Sequence, residues 1–123
     1  MAMNFESKIE HMKRKLQSGM DQAQARMAKF AVEMAKPEAG RLQTMAWSKD
    51  IFEAAAIYDA NNAVLFGLND GATVESIREY LTVSALNLAK YPPQSTSPTS
   101  NLADQYKGAA TMKILDDFKM FDY

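Results

Sequence analysis

The stretch that decides the fold runs from Asn4 to Pro37, "NFESKIEHMKRKLQSGMDQAQARMAKFAVEMAKP". Its apolar residues follow one another at steps of three or four, which places their side chains along one face of an α-helix. They are Phe5, Ile9, Met12, Leu16, Met20, Ala23, Met27, Phe30 and Met34. Because a proline pushes the preceding residue out of the α region, Lys36-Pro37 ends this helix. The pattern predicts one amphipathic, methionine-rich helix over residues 4–35.

Pro37 can also begin the next helix, because its fixed φ suits the first helical position. The segment 38–68 is apolar on two faces, which is typical of a helix in the middle of a bundle or between subunits. Ser48 could cap a new start, so the sequence leaves open whether this helix is continuous. Asn61 interrupts its principal seam, and a polar residue at a seam position fixes the register between helices. Two long helices joined at Pro37 predict an antiparallel hairpin.

Two shorter helices complete the pattern, over residues 73–90 and 101–121. Ser100 is a candidate N-cap of the last helix, and the proline- and serine-rich segment 92–100 is predicted to be an exposed linker. A chain of 123 residues has the length of one domain. The sequence therefore predicts a single all-α domain over residues 1–123, a four-helix bundle-like fold with a long N-terminal helical hairpin.

The charge of the chain is balanced overall but unevenly distributed. The formal net charge is −1, so no overall field attracts the chain to nucleic acid or anionic lipid. Residues 1–41 carry a net charge of +3 and residues 42–123 a net charge of −4. The basic and acidic parts could attract each other within one chain or between chains, or could simply be two solvated faces.

The compartment is inferred from what the sequence lacks. With no cysteine, disulfides and thiolate chemistry are excluded, and the composition fits a reducing cytoplasm. The N-terminus mixes charges with its apolar residues, unlike a signal peptide. The apolar run 51–68 is interrupted by Glu53 and Asp59, so we interpret it as a core helix rather than a membrane span. We expect a soluble cytoplasmic protein without a membrane partner; secretion without a cleavable signal peptide stays open.

The residues needed for catalysis or metal binding do not form a pattern. His11 is the single histidine, and the residue three before it is Lys8, so no Glu-x-x-His ligand pair exists. The adjacent acids Asp116 and Asp117 diverge on a helix. No Gly-Lys-Ser/Thr follows Gly71, so a phosphate-binding loop is not indicated. We expect no catalytic residues, no metal, no cofactor and no small-molecule substrate.

Residues 73–91 offer an alternative function, because they resemble the helix-turn-helix of bacterial DNA-binding regulators. With the turn at Thr82-Val83-Ser84, the positions that hold the two helices together are apolar or aromatic: Ile77, Leu81, Val83, Leu88 and Tyr91. The resemblance covers about twenty residues and implies a reading helix in the major groove. Arg78 and Thr82 depart from the pattern, since these places usually hold a small residue and a glycine.

A single unbroken helix accounts for the same residues at least as well. Five apolar residues share one face of such a helix: Val74, Ile77, Leu81, Ala85 and Leu88. Arg78, Asn87 and Lys90 would be the DNA-binding residues, which is a small set for groove binding. The continuous helix is therefore the preferred interpretation.

The segment Ser97 to Phe121, "SPTSNLADQYKGAATMKILDDFKMF", loosely resembles the second helix of type III secretion needle subunits. The likeness lies in the helical pattern, and those subunits are shorter than this chain. It implies a third hypothesis, a helical filament subunit of a secretion or surface assembly.

The methionine-rich face of the first helix is the strongest functional candidate, because methionine adapts well to protein interfaces. In a monomer, the default interpretation is that the same face is core against the second and third helices. We predict a non-enzymatic protein-protein interaction or self-assembly protein whose partner, or second copy, binds through the first two helices. The predicted interface residues are Met20, Met27, Phe30, Met34 and Asn61.

Overall fold

The first helix, α1, spans Phe5–Met34 in the computed structural model, which describes residues 4–36, 40–90 and 98–122. Its first turn is capped by Asn4, whose side-chain oxygen accepts a hydrogen bond from the Ser7 backbone N–H at 2.7 Å. The helix bounds agree with the predicted 4–35.

The second helix, α2, spans Arg41–Asn69 without a break. It passes through Ser48 as regular helix, so the start that Ser48 could have capped is not used. The predicted start of this helix at residue 38 is wrong, because Gly40 has an extended backbone and forms the N-cap, so that the helix begins at Arg41; Pro37 itself lies outside the described residues. At its C-terminal end the chain turns through Gly71, whose φ of +89° is a conformation that favours glycine.

The third helix, α3, spans Val74–Lys90, and the fourth, α4, spans Pro98–Asp117. A short 3₁₀ helix over Phe118–Asp122 follows α4 directly. The predicted start of the last helix at Asn101 is wrong, because the helix begins three residues earlier. Proline at the first helical position needs no partner for its missing N–H, so Pro98 rather than Ser100 marks the start.

The exposed linker predicted over residues 92–100 is therefore corrected in its last part, since residues 98–100 are helical. Residues 91–97 lie outside the described part of the chain. Over the described residues the fold is all-α, with four α-helices and no strand, and their packing is bundle-like. The predicted fold class is confirmed.

The packing centres on α2. It lies along α1 in a long antiparallel hairpin, and α4 packs on both α2 and α3. The main hydrophobic core lies where the N-terminal half of α1, the C-terminal half of α2, α3 and the end of α4 meet. Its buried members are Met12, Leu16, Val64, Leu68, Val74, Ile77, Leu81, Ile114 and Phe118.

The two hairpin helices approach each other closely at Gly19 and Asn61. A Cβ atom placed on Gly19 would lie 2.9 Å from the Asn61 side-chain oxygen and 3.3 Å from its Cγ. The Asn61 amide is held in place, because its Nδ2 donates a 2.7 Å hydrogen bond to the carbonyl of Ile57. The absent side chain of Gly19 thus provides the space in which Asn61 sits, and this contact fixes the register of the hairpin.

We expect Phe118→Ala to destabilise the fold far more than Phe66→Ala. Phe118 is 0% exposed and Phe66 69% exposed. Phe118→Ala leaves a cavity in the core and should lower the free energy of unfolding by about 3–5 kcal/mol. Phe66→Ala should change the free energy of unfolding by no more than about 0.5 kcal/mol. Urea denaturation monitored by circular dichroism measures both. Equal losses for the two variants would contradict the assigned core.

Gly19 and Asn61 should be energetically coupled. Replacing glycine by alanine inside a helix normally stabilises it by about 1 kcal/mol. Gly19→Ala should gain less than this, or lose stability, because Asn61 must move off the Ile57 carbonyl. In a chain that already carries Asn61→Ala, Gly19→Ala should stabilise the fold by the full amount of about 1 kcal/mol. A double-mutant cycle from urea denaturation measures the difference, and an identical effect of Gly19→Ala in both backgrounds would refute the contact.

Candidate interaction surface

The hairpin has two unlike halves. The buried residues of α1 end at Ala23, and among the side chains described on α2 the first buried one is Ala54. We define the outer half of the hairpin as residues 24–34 and 41–53. Every side chain described there is partly or fully exposed, so the described side chains of the outer half form no enclosed core like that of the inner half.

The third helix runs beside the inner half only. Gly67 lies against the Ile77 side chain. Further along α2, Asp59 and Ala60 face Ser84 across a cavity, so α3 runs back along α2 from the turn. At 1.5 Å per residue the 17 residues of α3 span about 25 Å, and the 29 residues of α2 span about 43 Å. The end of α3 therefore reaches about the level of Ala54, and α2 continues for about another 18 Å.

Arg26 links the two helices at the boundary between the halves. Its guanidinium donates to the Asp50 carboxylate at 2.8 Å and to the Glu53 carboxylate at 3.2 Å. Burial lowers the pKa of Arg26, but the hydrogen bonds to these two carboxylates and the attraction of their charges together outweigh burial and raise the pKa above its ordinary value. The site is partly solvated, with Arg26 33% exposed, so the ion pairs contribute modestly to stability and chiefly hold the register.

The predicted interface residues divide between the halves. Met20 is 6% exposed and belongs to the inner core of the chain, and Asn61 contacts Gly19 of the same chain. Met27, Phe30 and Met34 lie in the outer half and are partly buried. The structure thus brings three of the five predicted residues together on one incompletely covered strip.

The facing helix adds apolar side chains to this outer half. Trp47, Ile51 and Phe52 are each partly exposed on α2. Arg26 and its two acidic partners were not predicted as functional residues. The only sequence signal for them is a cation beside the apolar stripe and two acids three apart on α2, which become a cluster only once the register is known.

The helix-turn-helix hypothesis lacks the turn that it requires. α3 is helical through Thr82, whose hydroxyl donates a 2.8 Å hydrogen bond to the Arg78 carbonyl, as β-hydroxyl side chains do inside helices. Val83 is 50% exposed on the side away from the core, whereas a bracing contact would bury it. A β-branched residue at the turn position resists the positive φ of a turn, and the chain continues as helix instead.

The three candidate DNA-binding residues do not form a described groove-binding surface. The Arg78 guanidinium donates to the carbonyl of Phe118 at 3.1 Å and pairs with the Asp122 carboxylate at 2.8 Å, so it holds the C-terminal 3₁₀ helix. The side chains of Asn87 and Lys90 lie outside the described part of the chain.

Other classes of site are not indicated by the described residues. They contain no group of three or more histidine or acidic side chains that could hold a metal ion. None of the helices over these residues is both long enough and apolar enough to cross a membrane.

No protein-family model, curated protein or solved structure matches this chain.

We expect the carboxyl pKa of Asp122 to lie below the ordinary aspartate value, because the Arg78 guanidinium hydrogen-bonds its charged form. Since the folded-state pKa is lowered, the pair favours folding above the ordinary pKa and loses this effect as pH falls through the lowered one. Carbon-detected NMR titration should show the midpoint rising in Arg78→Gln. Asp116, whose pKa is lowered chiefly by a hydrogen bond from Lys119, is the control and should not respond. An unchanged Asp122 midpoint in the variant would refute the assignment.

Proposed function

We propose that this chain is a non-enzymatic helical interaction protein that self-associates through the outer half of its hairpin. The observation that carries the proposal is the end of burial at Ala23 and Ala54, beyond which the two helices continue without an enclosed core among the described side chains. Two packed helices cannot cover each other's apolar stripes on all sides, and a further layer is required to do so.

The composition of the outer half supports a protein partner. Methionine and aromatic side chains are enriched at protein interfaces, and Met27, Phe30, Met34 and Trp47 are of these types and partly exposed. Methionine is flexible and fills irregular gaps, so a methionine-rich strip packs well against a copy of itself. Arg26 lies beside the strip, where its two carboxylate partners reduce the cost of covering its charge.

A second copy is the simplest partner that fits. Two hairpins packed face to face through their outer halves form four helices around one core, the arrangement of a four-helix bundle. A two-fold axis through this contact closes the assembly as a dimer, because each strip meets its own copy. Self-association is thus preferred over the filament, which needs two different surfaces on each subunit.

Self-association should be visible as a dimer at micromolar concentration. Size-exclusion chromatography with multi-angle light scattering should give twice the mass of one chain, falling towards the monomer on dilution. A monomer across the micromolar range would overturn the proposal. Met27→Ala together with Met34→Ala should weaken the dimer at least about tenfold, since each truncation removes buried apolar area while alanine keeps the helix.

Val32→Ala is the matched control. Val32 lies on the same turns of α1, is 62% exposed and points away from the methionine strip. Its truncation should leave the dimer dissociation constant within about twofold of wild type, a change well under 1 kcal/mol. Circular dichroism should show equal helicity in all three proteins, so that a lost dimer is distinguished from a lost fold.

A further inference from the structure

A basic trough lies between α1 and α4, away from the outer half of the hairpin. It has a volume of about 490 Å³, within the range of small-molecule sites. Residues spaced along one face of α1 form one wall, and a lysine of α4 completes it. The lining residues are His11, Arg14, Lys15, Ser18, Gly19, Gln22 and Lys113.

The charges in the trough are of one sign. Its lining includes a guanidinium, two ammonium groups and an imidazole, and no carboxylate. The chain as a whole carries a net charge of −1, so this concentration of cations is local. Among the described residues, Arg14 and Lys113 have no carboxylate within ion-pair distance, although cations on this chain commonly have one.

The neighbouring carboxylates are already engaged. Asp117 pairs with the ammonium of Lys15 at 3.0 Å and lines the small cavity next to the trough. Glu10, one turn away, pairs with Lys13, and Asp21 accepts a hydrogen bond from Gln17. These contacts leave Arg14 and Lys113, one on each wall, as the cations available to a ligand.

Two further residues line the trough. Gly19 is one of them, although the space of its absent side chain is occupied by Asn61 of α2. Ser18 accepts a hydrogen bond from Gln22 at 3.0 Å, which leaves the serine hydroxyl proton available to donate. The trough therefore offers hydrogen-bond donors and positive charge on an open concave surface, which suits an anion.

We infer that the trough binds a small molecule that carries a diphosphate group. Arginine binds phosphate oxygens through paired N–H donors, and lysine adds a compact positive charge. Cations on two facing helices match two linked phosphates better than a single carboxylate. The volume leaves room for the rest of the molecule, as in a nucleotide.

Isothermal titration calorimetry at low salt tests this, with inorganic pyrophosphate and ATP as probes. Both should bind the wild-type chain, with affinity falling as sodium chloride is raised. Amide NMR signals of Arg14, Ser18 and Lys113 should shift with ligand. Failure to bind either probe at millimolar concentration would overturn the inference, and so would binding of ATP without pyrophosphate, because the phosphates would then not be the recognised part.

Arg14→Gln combined with Lys113→Gln should lower the affinity for pyrophosphate at least about tenfold. Lys13→Gln combined with Lys107→Gln is the matched control, because it removes the same charge from the same two helices at positions outside both the trough and the outer half of the hairpin. The control should stay within about twofold of wild type. If both double variants lost the same affinity for pyrophosphate, the anion would be attracted by the overall charge and not bound in the trough, and the inference would be refuted.

A lipid headgroup is the other source of such phosphates. Co-sedimentation with phosphatidylglycerol vesicles in the absence of pyrophosphate binding would overturn the inference in favour of a membrane surface. Light scattering on the Arg14→Gln, Lys113→Gln protein should match the wild-type oligomeric state, since the trough and the outer half of the hairpin are separate. A chain that does not bind pyrophosphate can therefore still self-associate, and a monomeric chain can still bind pyrophosphate.

Discussion

The antiparallel packing of α1 on α2 is the constraint on which the rest of the structure depends. Its register is set by the close contact between Asn61 and Gly19. Two turns away, the ion pairs of Arg26 with Asp50 and Glu53 hold the same register. A shift of one helical turn would break both contacts and offset the core residues that α3 and α4 cover. The hairpin is thus the base on which the other helices pack: α3 runs beside its inner half, and the C-terminal part of α4 completes the core there.

The placement of α3 and α4 follows from this platform. α4 packs between α2 and α3. Phe118, the first residue after α4, lies in the centre of the core and is 0% exposed. Arg78 then holds the last turn by its hydrogen bond to the Phe118 carbonyl and its ion pair with Asp122. Arg78, which departs from the helix-turn-helix pattern, thus holds the C-terminal 3₁₀ helix in place. This role explains why its position is not occupied by a small residue.

Local patterns in the sequence predicted most of the fold, because helices are encoded over a few residues. The stripe from Phe5 to Met34 gave α1 to within a residue at each end. The start of α4 was missed because Pro98 and Ser100 are both valid start signals, and residue type alone does not choose between them. The trough and the Arg26 cluster were missed because they join residues of different helices, and no local pattern specifies which turn of α4 lies beside Lys15.

The structure explains part of the uneven distribution of charge along the chain. Lys15 and Arg26 belong to the basic first part of the sequence, and their partners Asp117, Asp50 and Glu53 belong to the acidic remainder. Part of the attraction between the two parts is therefore satisfied within one chain. Two cations that stay outside these pairs, Arg14 and Lys113, line the trough of the inner half, whereas incompletely covered apolar side chains occupy the outer half. One helix, α1, thus contributes to the core, to the basic trough and to the apolar strip, and because the trough and the strip are separate, ligand binding and self-association can vary independently.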